Sequence, residues 1–245
     1  MPEQNKKNLI LTLETSGRAG SVAIGNGVSD FFEKKFTAPM RHNAELFGTI
    51  SELLAKTGSN PLDIAEIYVS IGPGSFTGIR IAVTAAKMMS MANSAKIVAV
   101  NTTGALAFNA NSETEPKTDN ITRLGTVIDA KRNHFFTAVF EKMDQNWIKT
   151  HPDSLLRADE FIKSVKPETN PIWLLGEGLV YYKDKFKADG VSFLDEKYWS
   201  ATAAGVYKAG RILASQGKYT DPEKLTPLYL RRSDAEENLA KKQVI

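Results

Sequence analysis

The first half of the chain alternates short apolar runs with polar turns. Residues 9–13, 20–24 and 28–35 form three such runs, and an Asn-Gly pair at 26–27 is a strong signal for a tight hairpin. We therefore predict three antiparallel strands at the start of the chain. Apolar positions then recur with helical spacing over 43–57 and 79–92, and buried strands are predicted at 67–71 and 96–100.

The pattern of strand, polar turn and strand returns in the second half. After a polar stretch at 109–122, the segment GTVIDAKRNHFFTAVF repeats the layout of LILTLETSGRAGSVAI, and an acidic residue, Glu14 or Asp129, ends the first strand of each copy. Helices are predicted at 158–165, from 179 and at 202–216, and strands at 172–175 and 191–194. The repeat predicts an α/β protein of two duplicated halves, residues 1–103 and 104–245.

Composition excludes several classes of function. Among 245 residues, 31 are Lys or Arg and 28 are Asp or Glu, a balance too even to indicate a nucleic-acid or membrane binder. The chain has no cysteine, which rules out disulfides, thiolate metal sites and a cysteine nucleophile. Its polar first residues do not form a signal peptide, and no apolar run approaches the roughly 20 residues of a membrane span. We expect a soluble, cytoplasmic protein.

A glycine-rich stretch, SIGPGSFTGIRIA at 70–82, is the main candidate for chemistry. Backbone N–H groups at a helix start can bind an anion, so Gly72, Gly74 and Ser75 are candidates to cradle a phosphate. The stretch lacks the Lys that a P-loop needs after its last glycine, its glycines are one residue too far apart for the dinucleotide fingerprint, and proline stands where a hydrolase elbow needs glycine. We favour the alternative, a tight strand-to-helix turn in which Ser75 or Thr77 caps the helix.

Catalytic groups are scarce in this sequence. The histidines, His42, His134 and His151, adjoin turns or loops and are not in metal-ligand spacing. Asp129 stands where actin-like ATPases place an acid that contacts phosphate or magnesium, but a strand-end aspartate that caps a turn is at least as common. Glu14 is a weaker candidate because its longer side chain would crowd a phosphate. We assign no catalytic residue and no metal site.

The predicted helix at 79–92 is apolar on more than one face and rich in small residues and methionine, which suits contact with another helix. A buried core helix is the ordinary alternative. Together with the helix at 43–57, it is predicted to form a subunit interface of Leu46, Phe47, Ile50, Leu54, Ala82, Ala85, Ala86, Met88 and Met89. In the tail, Tyr229, Arg231 and Arg232 are candidates for an RNA or partner contact, with a solvated tail as the alternative.

The segment GPGSFTGIRI resembles the signature of the TsaB (YeaZ-like) family, and the similarity continues in LETSGRAGSVAI, VIDAKRNHFFTAVF and LTPLYLRR. This resemblance implies the actin/Hsp70/sugar-kinase fold, with two subdomains of related topology whose mixed sheets are flanked by helices. It also implies a non-catalytic subunit that is needed for threonylcarbamoyl transfer to adenosine 37 of tRNAs reading codons that start with adenine. Such a subunit binds and stabilises the catalytic one.

The resemblance further implies a set of partners and cofactors. The partners are the catalytic threonylcarbamoyl transferase subunit and a small ATPase subunit, with tRNA reached indirectly and a homodimer formed when the chain is alone. ATP and metal are expected on the partner subunits and no cofactor on the isolated chain. Catalytic relatives carry two metal-binding histidines after the strand matched by 97–100, where this chain reads VNTTGALA.

Two other functions stay open on sequence grounds. An active ATPase or sugar kinase of the same fold would need an aspartate base and acids that hold magnesium, and Asp129 is the one acid that can be placed well. A metalloprotease-like hydrolase would need a zinc site or an activated nucleophile. The sequence offers neither, so the hydrolase ranks last.

Overall fold

Two five-stranded mixed sheets form the framework of the chain, in a computed structural model that describes residues 8–27, 31–37, 42–110, 121–144 and 146–231. The first sheet contains β1 (Leu9–Glu14), β2 (Ser21–Gly25), β3 (Phe31–Lys35), β4 (Ile64–Gly72) and β5 (Lys96–Asn101). β1, β2 and β3 are antiparallel, and β4 and β5 run parallel to β1, in the order β3-β2-β1-β4-β5. The central strand β1 is almost fully buried, which explains its near-continuous apolar sequence.

The second sheet repeats this topology strand for strand. It contains β6 (Arg123–Asp129), β7 (Phe135–Met143), β8 (Asn146–Leu156), β9 (Ile172–Leu175) and β10 (Val191–Phe193). The order is β10-β9-β6-β7-β8, with β6, β7 and β8 antiparallel and β9 and β10 parallel to β6. Each strand of the first sheet thus has an equivalent in the second, and the predicted duplication is confirmed. Each sheet with the elements around it is called a subdomain below.

Helices cover the sheets and fill the space between them. Their bounds are α1 (His42–Lys56), α2 (Phe76–Asn93), α3 (Thr102–Asn109), α4 (Ala158–Val165), α5 (Leu179–Tyr182) and α6 (Ala203–Ser215), with short 3-10 turns at Pro61–Asp63, Lys183–Phe186 and Glu196–Tyr198. α1 and α2 pack on one face of the first sheet, while α6 packs on its other face. α3 lies between α6 and the second sheet, so each half of the chain contributes to the contact between subdomains.

Close packing of the two central helices depends on glycine. A Cβ on Gly210 of α6 would lie 2.4 Å from the ring of Tyr68 on β4, and one on Gly205 would lie 2.4 Å from the carbonyl oxygen of Ala105 on α3. Because neither neighbour is the end of a flexible side chain, a larger residue at either position would push α6 away from the core.

A polar cluster ties the two sheets together at the start of α3. Asp153 of β8 accepts hydrogen bonds from Asn101 Nδ2 at 2.6 Å, from Lys149 Nζ at 2.6 Å and from the Thr103 hydroxyl. Lys149 also donates to Thr103 Oγ1 at 3.1 Å. The cluster therefore fixes one end of the second sheet against the helix that follows β5.

Some elements differ from the sequence prediction. The structure adds α3 and β8, which lack a clear apolar period, and it extends β7 to Met143. The predicted boundary between residues 103 and 104 falls inside α3, and that boundary stays a prediction. Residues 28–30 of the third predicted strand, and most of the predicted linker at 109–122, lie outside the described residues. Over the described ranges, no helix is long and apolar enough to cross a membrane.

Candidate functional site

A cleft of about 390 Å³ opens between the two subdomains. Its walls are segments that follow strand ends: the turn after β1, the glycine-rich loop between β4 and α2, the turn between β6 and β7, and the loop that leads into α5. The last described residue, Arg231, completes the lining. Since β1 and β6 are equivalent strands of the duplicated sheets, the cleft lies where the two copies meet.

The glycines of the glycine-rich loop allow it to contact the β1–β2 turn directly. Gly72 has a φ of +110°, and a Cβ on Gly74 would lie 2.4 Å from the carbonyl oxygen of Ser16. The Ser75 N–H donates to that same oxygen at 2.7 Å. Ser75 also caps α2, because its hydroxyl accepts from the Gly78 N–H at 3.3 Å, and the predicted cap is confirmed. This packing explains the glycines without a ligand.

Glu14 is fully buried at the end of β1 and does not line the cleft. Its Oε1 accepts from the Ser16 N–H and the Ser16 hydroxyl, both at 2.5 Å, and its Oε2 has no hydrogen-bond partner among the described residues. Burial raises the pKa of the Glu14 carboxyl above its ordinary value of 4.5, against the hydrogen bonds from the Ser16 N–H and hydroxyl, which favour the charged form. The side chain therefore stays a neutral acid to a higher pH than a free glutamate does, and its hydrogen bonds to Ser16 brace the turn.

Asp129 caps the turn between β6 and β7. Its carboxylate accepts from the Lys131 N–H at 2.8 Å and from Lys131 Nζ at 2.9 Å. The turn is unusual because Lys131, Arg132 and Asn133 are all left-handed, with φ values of 65°, 52° and 62°. Of the two interpretations of Asp129 that the sequence left open, the geometry favours the turn cap.

A contact between subdomains crosses the cleft beside this turn. The Glu177 carboxylate accepts from the Arg18 N–H at 2.9 Å and from the Ser200 hydroxyl at 2.9 Å. The Arg18 guanidinium donates to the Tyr181 hydroxyl at 2.6 Å and lies 5.5 Å from the centre of its ring. Sequence analysis did not select Arg18, Glu177 or Tyr181, because Arg18 lies 159 and 163 positions before the other two and shares no motif with them.

The tail segment 225–231 contacts both subdomains. The Leu228 N–H donates to Ile71 O at 2.7 Å, and the Tyr229 ring stacks on Phe76 at 4.5 Å between ring centres. The Tyr229 hydroxyl accepts from Arg80 Nε at 2.8 Å, and Arg231 donates to Ala130 O at 2.6 Å. Tyr229 and Arg231 thus have intramolecular roles, and an RNA contact by them stays a prediction. Arg232 lies outside the described residues.

The structure corrects which side chains could form the predicted helix interface. Packing against the first sheet buries a large part of the set in the chain's own core, namely Leu46, Ile50, Leu54, Ala82, Ala85 and Ala86. Phe47 is 52% exposed and Met88 61% exposed, and Met89 is partly buried. Met91, which the sequence interpretation left out, is 81% exposed. The interface itself stays a prediction.

Histidines and acids are not assembled into a metal site in the described ranges. No group of three or more His, Cys, Asp or Glu side chains there could hold a metal ion. His134 Nδ1 pairs with Arg132 O at 2.9 Å, and His151 is exposed on β8. The side chain of His42 is outside the described part of the chain.

The duplicated sheets and the cleft between them define the chain as a two-subdomain protein of the actin/Hsp70/sugar-kinase fold. The model of the family described as TsaD, tRNA N6-adenosine threonylcarbamoyltransferase, matches residues 37–238. The chain belongs to this family, and its resemblance to the TsaB (YeaZ-like) proteins is confirmed.

Known relatives resemble the chain over most of its length. A tRNA threonylcarbamoyladenosine biosynthesis protein TsaB from Bacillus subtilis is 26% identical over 93% of this chain and 96% of its own length. The TsaB protein of Escherichia coli is 25% identical over 96% of this chain and 99% of its own length. The solved structure of YeaZ from Pseudomonas aeruginosa is 21% identical, covers 91% of this chain and 100% of its own, and superposes with a TM-score of 0.77, which supports the fold.

Proposed function

We propose that the chain is a non-catalytic subunit in the threonylcarbamoyladenosine modification of tRNA, and that it acts by binding and stabilising the catalytic transferase subunit. Membership of the family supports involvement in this modification. The observation that carries the binding role is a set of exposed apolar side chains on α1 and α2, namely Phe47, Met88 and Met91. We define the outer helix face by these three residues together with the exposed Thr84 and the partly buried Ile81 of α2.

The spacing of the outer helix face suits contact with another helix. Its four positions on α2 are separated by three, four and three residues, so they lie along one side of the helix in the pattern of a coiled-coil seam. Phe47, Met88 and Met91 are all more than half exposed. Full burial of a Phe or Met side chain is worth about 1.5–3 kcal/mol, so a partner that covers these residues gains several kcal/mol.

The same proposal assigns ATP and metal to the partner subunits rather than to this cleft. The Ser75 N–H, which a phosphate cradle would need, donates to Ser16 O, and the Asp129 carboxylate is bound by Lys131. Calorimetry of the isolated chain with ATP and magnesium tests this assignment. We expect no saturable heat, whereas tight binding with turnover would favour the ATPase alternative.

The binding role can be tested with a pair of matched methionine variants. Met88→Asp places a charge in the outer helix face, and Met143→Asp places the same charge on β7 of the second subdomain. Both methionines are 61% exposed, so the two changes differ in location and not in burial. Co-purification with the tagged catalytic subunit, followed by a tRNA modification assay, measures the outcome.

We expect Met88→Asp to lose at least tenfold in affinity for the catalytic subunit, because a carboxylate buried without a counter-ion costs more than 1.4 kcal/mol. Modification should fall in parallel, and Met143→Asp should behave as the wild type. In the isolated chain, Met88→Asp should also weaken any homodimer seen by light scattering. Equal pull-down and equal modification by both variants would exclude the outer helix face as the binding surface.

A further inference from the structure

Two aromatic rings hold the exposed Arg80 at a fixed position near the start of α2. Its Nε donates to the Tyr229 hydroxyl at 2.8 Å, and its guanidinium carbon lies 5.5 Å from the ring centre of Phe76 and 5.6 Å from that of Tyr229. The two rings are stacked, with planes that differ by 7°. Holding an arginine in this way costs side-chain entropy, and it leaves the guanidinium pre-organised for a partner.

The C-terminal tail brings Tyr229 to Arg80 from 149 positions along the chain. Leu225 is buried in the core of the first subdomain, and the Leu228 N–H donates to Ile71 O at 2.7 Å, so the backbone just before Tyr229 is anchored. The Tyr229 side chain itself is 41% exposed. Its ring and hydroxyl therefore support Arg80 from an anchored segment while they remain at the surface beside it.

The Arg80 guanidinium has no carboxylate partner among the described residues. Its Nε faces a tyrosine hydroxyl, which is neutral at pH 7, and its two terminal nitrogens make no hydrogen bond in the described part of the chain. These two nitrogens form an edge that can bind both oxygens of a carboxylate. Arg157, by comparison, pairs with Asp159 at 3.4 Å. Arg80 is thus a positioned cation with a binding edge to spare.

Arg80 adjoins the outer helix face, one turn before Thr84. Positions 80, 84, 88 and 91 are separated by four, four and three residues, so they share one side of α2. Along the helix axis, about 12 Å separate Arg80 from Met88. A stable interface covers about 800 Å² on each partner, a patch roughly 30 Å across. A subunit that covers Phe47, Met88 and Met91 therefore also covers Arg80.

Covering an arginine calls for a counter-ion, because a guanidinium that is removed from water without an anion is strongly unfavourable. We propose that Arg80 pairs with a carboxylate of the catalytic transferase subunit, an Asp or Glu side chain, and that Tyr229 is the residue that positions it. A single arginine beside apolar side chains suits a carboxylate, whereas phosphate sites usually gather several cations. This inference rests on the proposed function and deepens it, because it names the chemistry of the partner's surface at this end of α2.

The experiment measures binding of the purified catalytic subunit, without tRNA, to variants of the full chain by biolayer interferometry. Arg80→Gln removes the charge, Arg80→Lys keeps the charge without the two-nitrogen edge, and Tyr229→Phe removes only the hydroxyl. Arg211→Gln is the matched control, because Arg211 also lies on a helix, α6, with its guanidinium carbon 5.9 Å from the Tyr207 ring centre. Thermal unfolding of each isolated variant checks that it folds.

We expect Arg80→Gln to weaken binding roughly 30-fold or more, mainly through faster dissociation, because it leaves the partner's carboxylate covered without a counter-ion. Arg80→Lys should restore part of this loss. Tyr229→Phe should weaken binding several-fold in the wild-type chain and have no effect in the Arg80→Gln chain, since the hydroxyl acts only through the guanidinium. Arg211→Gln should bind as the wild type, and all variants should unfold near the wild-type temperature.

The chain itself offers a second source of carboxylates, because Asp234, Glu236 and Glu237 follow Tyr229 by five to eight residues. A full-length chain with Asp234→Asn, Glu236→Gln and Glu237→Gln distinguishes the two sources. If the partner supplies the carboxylate, Arg80→Gln weakens binding to the same extent in this chain as in the wild type. A loss that disappears in this chain would assign Arg80 to the chain's own acids and overturn the pairing with the catalytic subunit.

The remaining outcomes separate this inference from the proposed function. Wild-type binding by Arg80→Gln, together with release of the catalytic subunit by Met88→Asp, overturns the pairing and leaves the proposed function intact. A loss that comes only from slower association and vanishes at high salt indicates long-range attraction without contact, and it also overturns the pairing. A defect of Arg80→Gln that appears only after tRNA is added would assign Arg80 to a phosphate instead. A wild-type chain that does not bind the catalytic subunit contradicts both the proposed function and this inference.

Discussion

Replacing Glu14 by glutamine should make the stability of the protein less dependent on pH. Glutamine keeps the shape of the side chain and an oxygen that can accept from the Ser16 N–H and hydroxyl, but it cannot ionise. In the wild type, burial is the main cause of the raised pKa of Glu14, with a smaller contribution in the same direction from Glu177. The variant therefore removes one titration that is linked to folding.

The sign of the effect follows from proton binding in the two states. Well below pH 4.5 the Glu14 carboxyl is protonated in both the folded and the unfolded chain. Its ionisation therefore does not change the free energy of unfolding there. Above pH 4.5 the unfolded chain releases the proton, and the folded chain retains it until its own pKa is reached. In that window the free energy of unfolding of the wild type falls by about 1.4 kcal/mol per pH unit relative to the variant. The loss stops where pH passes the pKa of the folded state, and the position of that plateau measures this pKa.

The assay is thermal unfolding at half-unit steps between pH 4 and 8. For a chain of this length, 1 kcal/mol corresponds to about 2–4 °C in Tm, so the melting temperature of Glu14→Gln should gain roughly 3–6 °C per pH unit over the wild type inside the window. Glu168→Gln, a change at an exposed glutamate, is the control and should show no such trend. A constant difference between Glu14→Gln and the wild type across this range would refute the neutral buried acid.

Two further predictions concern contacts that hold the cleft and the subdomains. Gly74→Ala forces a Cβ to within 2.4 Å of Ser16 O, and it should lower the free energy of unfolding measured in urea titrations by about 1–3 kcal/mol. The control, Gly104→Ala, is at a helical position with open space, and it should leave the free energy of unfolding unchanged or raise it by about 0.5–1 kcal/mol. Asp153→Ala leaves Lys149 without its ion-pair partner and should cost about 3 kcal/mol or more, and a double-mutant cycle with Lys149→Met should return a coupling of about 1–3 kcal/mol. Equal losses for both glycines, or a coupling near zero, would contradict these accounts.

The sequence by itself determined the repeated layout of the fold. Period-two and buried strand patterns identified most strands, and the helical spacing of Leu46, Ile50 and Leu54 identified α1, because these residues bury one face against a sheet. The echo between the segments that contain Glu14 and Asp129 predicted two equivalent sheets. The helix cap at Ser75 could also be predicted from the sequence, since the preference for a hydroxyl side chain before a helix is a local property of the backbone.

Local patterns could not define α3 and β8. α3 is buried almost all round between α6 and the second sheet, so it has no polar face to mark its period. β8 is an edge strand that is largely exposed or half-buried, and its many polar residues are typical of a loop. In both, tertiary packing overrides the local signal.

Surfaces were decided only by the tertiary structure. The sequence predicted both Ala85 and Met88 as interface residues, but Ala85 lies on the side of α2 that is buried in the chain's own core and Met88 on the side that is exposed. The contact across the cleft joins Arg18 to Glu177 and Tyr181 of the other subdomain, and no pattern of spacing along the chain encodes that proximity in space. Apolar periodicity reports which side of an element is buried, whereas contact between remote side chains depends on how whole elements pack.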